Sequence, residues 1–532
     1  MTNGRYYLRQ NVQVEPLIDH WFAWPHLIPP ATWARNVTER HMKIMESYIS
    51  APDLHAAAVK NPQLTGGPFI DYGCERVDEI RSLYSRIAQC QPEVLELSSA
   101  IEQLDSILRS QARGFCLHGL YEKVPAPLRG YVELVYDRNN SPSFRLFESL
   151  LYRSKYYASS LQSLMLSPIL GDNRPFILST PRLPDERSLH LRMPFADERV
   201  EQLFRMKSEP RPAGEIRELF AGQTYTEALL DSLFTTEAPP SYEPYQGSGV
   251  RWRYFGHACI LVETRGISIL VDPVLSYTYE CDISRYTYVD LPEKIDYVLI
   301  THNHQDHILF ETMLQLRHKI KTIVIPKGGT GSLQDPSLKQ ILRAIGFKNT
   351  IVELSELEQI ELFGGYIQGI PFLGEHGDLD IPTKLGYYVK VGRNRLMFVA
   401  DSCNIDPMIY QRVHEVTGDV DVLFVGMECQ GAPLSWLYGP LLTQRVERRM
   451  DESRRLSGSD FDQARLLAEE FVAQEVYVYA MGQEPWITHI SSIRYTDESR
   501  PIVESEKLLK HCATMSICAE RLFGEKEILR SA

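Results

Sequence analysis

Between Thr301 and His307 the chain reads Thr-His-Asn-His-Gln-Asp-His, three imidazoles and a carboxylate packed directly behind the apolar run 295–300. A polar loop whose histidines are satisfied by hydrogen bonds is the plain alternative. Imidazole, however, is the commonest nitrogen ligand for transition metals, and this density exceeds what a turn needs. His302 and His304 are two residues apart, so in extended chain they face the same way and can grip one ion together. Asp306 and His307 lie past the bend and aim elsewhere. One loop can therefore feed two metal ions.

Such a loop needs further ligands, and they must arrive from other strand ends. Three apolar runs deliver ligand-type residues in the same way. Residues 367–370 lead into Pro371-Phe372-Leu373-Gly374-Glu375-His376-Gly377-Asp378, 396–400 into Asp401-Ser402-Cys403, and 476–479 into a loop that reaches Thr488-His489. Upstream, 251–264 and 267–273 read as the two strands of a hairpin turning at Arg265-Gly266 and ending on Asp272-Pro273. A helix is expected over 310–318, a strand over 322–325 and a terminal helix within 501–529. Alternating β and α segments imply a sheet covered by helices.

The first half carries no motif with evident chemistry. Residues 36–49, 77–108 (interrupted at Pro92) and 214–234 read as helices, and 131–151 as a hairpin around Asn139-Asn140-Ser141-Pro142. Residues 235–249, rich in Pro and Gly and nearly free of aliphatics, read as a linker. We therefore expect a mixed α+β N-terminal domain over 1–245 and a catalytic domain over 246–532.

At 532 residues the chain exceeds one core, and 44% hydrophobic with 23% charged residues is ordinary globular composition. A net charge of -13 argues against a nucleic-acid partner, which calls for a basic face. No window reads as a signal peptide or membrane span, so no membrane partner and a cytoplasmic location are expected. The nine cysteines, odd in number and without a CxxC pair, read as reduced thiols.

The order HxHxDH, then Glu or His, then Asp after a strand, then a late His, resembles the metallo-β-lactamase superfamily over about residues 250–495. The resemblance implies an αββα sandwich with two metals at one edge of its paired sheets. It implies His302 and His304 on the first ion together with Glu375 or His376. It puts Asp306, His307 and His489 on the second ion, Asp401 bridging, and Asp272 bracing the ligand loop. Seven ligands leave no vacancy, so His257 is read as a structural histidine.

A closer likeness bears on the choice between Glu375 and His376. The stretches FGHACILVETRGISILVDP, THNHQDH, FLGEHGD and VADSCN, with the large N-terminal half, resemble the metallo-β-lactamase-fold diiron β-hydroxylases, including that of chloramphenicol biosynthesis. This resemblance favours Glu375. It implies a non-haem diiron monooxygenase that uses O2 to hydroxylate the β-carbon of an aromatic amino acid such as L-p-aminophenylalanine. The amino acid would be held as a thioester on a peptidyl carrier domain of a nonribosomal peptide synthetase. No P-loop, Rossmann fingerprint or flavin-type segment is evident, Gly328-Gly329-Thr330-Gly331 lacking the required spacing, so electrons would come from a separate reductase. A homodimer is expected. A zinc hydrolase using His376 is the alternative.

Overall fold

The apolar runs of the second half pair into two seven-stranded sheets. In the computed structural model, which describes residues 4–532, the first runs in the order Thr350–Leu354, Ile320–Pro326, Ile295–Leu299, Ile267–Val271, Ile260–Thr264, Val250–Tyr254, Lys526–Arg530. The second runs Gln359–Leu362, Gly365–Ile370, Gly386–Val391, Asn394–Phe398, Val422–Gly426, Glu475–Tyr479, Cys518–Arg521. Ile267–Val271, Ile295–Leu299 and Ile320–Pro326 are mutually parallel neighbours, as are Asn394–Phe398, Val422–Gly426 and Glu475–Tyr479. Their C-terminal ends therefore share one rim, and the loops carrying Asp272, His302 to His307 and Asp401 leave from it.

The sheets close face to face on a core that alternation along each strand supplies. Trp252, Val262, Val271 and Leu299 meet Tyr387, Phe398, Phe424 and Tyr479, all buried. Trp252 stands edge-on to Phe424 and Tyr477 at ring separations of 5.1 and 4.7 Å. Helices Pro407–Thr417, Phe461–Glu470 and Arg500–Thr514 cover the outer face of the second sheet. The outer face of the first is covered by Phe310–Leu316, Leu338–Ala344 and the N-terminal half. Trp21, Phe22 and Phe195 belong to the same apolar cluster as Ile295, Val298 and Met313. The architecture is thus an αββα metallo-β-lactamase sandwich with a mixed α+β region packed on one side.

That region contains a four-stranded sheet, Trp21–Phe22, Val12–Ile18, Gln162–Pro168, Leu189–Leu191. Helices Val77–Cys90 and Pro92–Gln111 break at the proline as expected, and Val132–Tyr136 pairs with Pro142–Leu146 as a hairpin. The helix expected over 36–49 begins earlier, as Pro30–Asn36, and passes through a π turn at Val37–His41 into Met42–Ser50. Buried ions tie the region to the sandwich: Arg174 Nη2 donates to Glu15 Oε1 and to Glu311 Oε2, each at 2.7 Å.

Three expectations need correction. The stretch 251–264 is two strands, because Gly256 (φ 103°) and His257 (φ 52°) turn the chain back. A Cβ on Gly256 would sit 2.6 Å from the Trp486 ring, so only glycine lets this turn close. The stretch 214–234 is two helices, Ala213–Leu219 and Glu227–Leu233, separated at Gly222 (φ 79°) and restarted by Thr226, whose hydroxyl caps the Leu229 N–H at 3.1 Å. The C-terminal tail is a helix only to Thr514. Beyond it, Cys518–Arg521 and Lys526–Arg530, turning at Gly524 (φ 75°), complete one edge of each sheet.

Candidate metal centre

The histidine loop is anchored before it can bind anything. Asp272, at the end of its strand with φ 40°, accepts the Thr301 N–H on Oδ1 at 2.8 Å and the Thr301 hydroxyl on Oδ2 at 2.6 Å. The same Oδ2 meets His307 Nδ1 at 2.8 Å, which places the proton on Nδ1 and turns Nε2 toward the rim. Exchanging Asp272 for Asn puts an amide donor against these donors. Metal affinity is expected to fall roughly 10- to 100-fold, read as metal retained after dialysis against a chelator; unchanged retention would remove Asp272 from the support of the site.

Three overlapping groups of ligand-type atoms converge at the rim, each within 4.8 Å: His302, His304 and Glu375; His302, His307 and Asp401; His257, Asp306 and His307. Glu375 Oε1 lies 2.7 Å from His304 Nδ1, and its Oε2 3.9 Å from His302 Nε2. Asp401 Oδ2 stands between the groups, 2.8 Å from His307 Nε2 and 3.8 Å from His302 Nε2. Asp306 Oδ2 faces His257 Nε2 at 3.4 Å. Tight turns present these groups. Gly374 (φ 67°), Glu375 (φ 64°), Gly377 (φ 58°) and Asp378 (φ 57°) make one, and Ala400 (φ 47°) aims Asp401. Left-handed residues cluster here as strain does at functional sites.

The electrostatics fit cations. Burial would lower His307, yet the carboxylates of Asp401 and Asp272 hold it well above the usual histidine range. A positive charge is thus favoured at its Nε2, whether proton or metal. Burial would raise Glu375, but His304, His376 and His302 hold it well below. Burial, with His307 alongside, keeps His302 neutral and ready to ligate. His302 Nε2 and Asp401 Oδ1 are buried and make no hydrogen bond within the protein, a costly state that a metal ion would relieve. Imidazoles mixed with several carboxylates are a donor set that suits iron.

His489 is not part of this gathering. Ten residues beyond its strand, the short 3-10 turn Pro485–Ile487 carries it toward the N-terminal half, where its ring lies edge-on to Phe22 at 6.2 Å. Burial and the nearby Arg174 and Arg182 push it well below the usual histidine range. His376 stays beside the cluster, its Nδ1 2.9 Å from Glu375 Oε2. His257, read from sequence as structural, stands among the ligand atoms, and the Gly256-His257 turn was its signal.

Two further residues had no part among the ligands in the sequence reading, which offers Tyr438 only as a rim aromatic able to line a pocket. Tyr438 meets His304 Nε2 at 2.7 Å and so leaves Nδ1 facing Glu375. Glu428 follows Val422–Gly426, the parallel neighbour of the strand leading to Asp401. Burial and the carboxylates of Asp401, Asp306 and Glu375 push it well above the usual range, so it shares their field.

Residues 7–239 match the diiron non-heme β-hydroxylase N-terminal domain, and residues 268–431 the β-lactamase superfamily domain. Over 526 residues, 97% of this chain and 98% of the relative, the sequence is 41% identical to the 4-amino-L-phenylalanyl-(CmlP peptidyl carrier protein) 3-hydroxylase of Streptomyces venezuelae. The crystal structure of CmlA, a diiron β-hydroxylase from Streptomyces venezuelae, is similar with a TM-score of 0.92 at 40% identity, covering 99% of this chain and 100% of that one. A glutamate-to-aspartate variant of CmlA gives 0.90 at 40% identity, over 98% and 100%. The likeness runs through the N-terminal half and the metal-binding sandwich alike, and the chain belongs to the non-haem diiron β-hydroxylases, hydroxylating enzymes built on a metallo-β-lactamase fold.

Proposed function

We propose that this enzyme hydroxylates the β-carbon of an aromatic amino acid, L-p-aminophenylalanine, held as a thioester on a nonribosomal peptide synthetase carrier domain, as a step in antibiotic biosynthesis. The observation that carries this reading is 41% identity, along 97% of the chain, to a hydroxylase named for that carrier-bound amino acid. In it, His302, His304 and Glu375 would hold one iron, and Asp306, His307 and His257 the other, with His257 in the place that the sequence reading gave to His489; Asp401, near both His302 and His307, would serve both. When bound, two ferrous ions supply the activation of O2 that a carbon–hydrogen bond requires.

The protein's own part is to hold and to seal. Asp272 and Tyr438 lock the His307 and His304 rings in the orientation that ligation needs. His26, from the N-terminal half, stands edge-on to Tyr438 at 5.9 Å, so that half packs against the side chain that orients His304. A benzylic β-carbon offers a weakened carbon–hydrogen bond. Electrons come from a separate reductase, the assembly is a homodimer, and the reaction belongs to the cytoplasm; no helix among the described residues is long and apolar enough to cross a membrane.

Elemental analysis and the visible spectrum of the purified enzyme test the reading, together with mass spectrometry of an aminoacyl carrier after chemical reduction and exposure to O2. The expected result is two irons per chain, an absorption band that bleaches on reduction, and the gain of one oxygen atom on the aminoacyl group. Two zincs, no colour and hydrolysis of the thioester would overturn it.

A further inference from the structure

Arg174 is 7% exposed and spends its Nη2 on Glu15 and Glu311, but its Nε–H, also buried, has no acceptor in the protein. Arg174 also lines a cavity of about 120 Å3 between the N-terminal half and the loop after the last long strand of the second sheet. Lys60 and Arg494 stand on the same wall with Ser179, Thr488 and Ser492, and Asp71 is the single carboxylate there. Neither Lys60 nor Arg494 forms an ion pair among the described residues. Two unpaired cations and a third whose charge is met by Glu15 and Glu311 but whose Nε–H is unspent, against the single acid Asp71, make a local exception in a chain of net charge -13 and suit an anion. Guanidinium donors match phosphate oxygens in geometry and charge, and the cavity is of a size to hold one phosphate.

Its position relates it to the metal centre. Tyr495, next in the chain to Arg494, is half-buried with its buried hydroxyl unpaired and lies in the field of Glu428 and Asp401. The wall of the cavity is therefore one residue from the polar surroundings of the ligands. A carrier domain presents its thioester on a phosphopantetheine arm, whose phosphate must come to rest at a distance from the reacting carbon. We propose that this cavity binds the phosphate of that arm, with Arg174, Arg494 and Lys60 as its donors, and thereby sets how deep the aminoacyl group reaches. The proposal rests on the carrier-bound substrate reading above.

The test uses the iron-loaded enzyme and two small thioesters, the aminoacyl group on phosphopantetheine and on pantetheine, which differ only in the phosphate. The wild type is expected to show a KM at least about tenfold lower for the phosphorylated thioester, with inorganic phosphate competing against it alone. The double variant K60A/R494A, whose residues touch no proposed metal ligand, is expected to lose this difference while kcat and the visible band stay as they were. Equal KM values in the wild type, or a difference that survives in the variant, would overturn the site; so would competition by phosphate against both thioesters, which marks an adventitious effect. Hydroxylation of both thioesters with equal KM leaves the substrate reading standing. Hydroxylation of neither removes both proposals together.

Discussion

Replacing Asp401 by Ala is expected to empty the centre and lower hydroxylation on the order of 1,000-fold, because the metals carry the chemistry. Its Oδ2 is 2.8 Å from His307 Nε2 and 3.8 Å from His302 Nε2, so it is the carboxylate placed to serve both ions. Asp401 also offsets the charge that burial would otherwise deny His307. Without it, two cations would be held near each other with fewer anions between them. Elemental analysis should find well under one iron per chain and no visible band, with the circular dichroism of the wild type retained, since the sandwich core does not include this side chain. Two irons and a wild-type band in the variant would show that Asp401 is not a bridge.

A pair of substitutions separates the two candidate histidines for the second ion. Exchange of His257 for Gln is expected to remove about one of the two irons and to lower turnover on the order of 100-fold. Exchange of His489 for Gln is expected to leave both irons and the band in place. The first side chain faces Asp306 at 3.4 Å, whereas the second packs on Phe22 in a field of two arginines. His257 also accepts the Gly482 N–H on Nδ1 at 3.2 Å, so the thermal unfolding midpoint is measured alongside. Glutamine can preserve that bond through its carbonyl, leaving the metal count as the discriminating result. Iron lost from the His489 variant and kept in the His257 variant would restore the assignment made from sequence.

Legibility followed the range of the determinants. The THNHQDH loop was readable because its ligands and their spacing are local. The fold class was readable because apolar runs of strand length alternate with helical patterns, and each run announces where its C-terminal end must lie. The assumption that every polar residue after such a run belongs to one rim held for the position of Asp401 and Glu375. The structure sets His489 apart from that rim, ten residues and a 3-10 turn beyond its strand. The same assumption hid His257, since 251–264 looks like one strand until Gly256 breaks it; the glycine was the single local warning.

The sequence by itself determined the metal-binding chemistry of the loop, a sheet covered by helices and the large N-terminal half, because periodicity and ligand type are properties of short stretches; the αββα arrangement followed from its resemblance to the metallo-β-lactamase superfamily. Tertiary structure alone decided which ring nitrogen His307 and His304 offer, since Asp272 and Tyr438 lie 35 and 134 residues away from them in the chain. It decided that the N-terminal half shares a core with the first sheet and reaches Tyr438, the partner of His304, through His26. It decided too that Arg174, with an unspent donor, lines a cavity walled by both halves. Those outcomes depend on strands and loops meeting across hundreds of residues, and no local pattern encodes which pairs will meet.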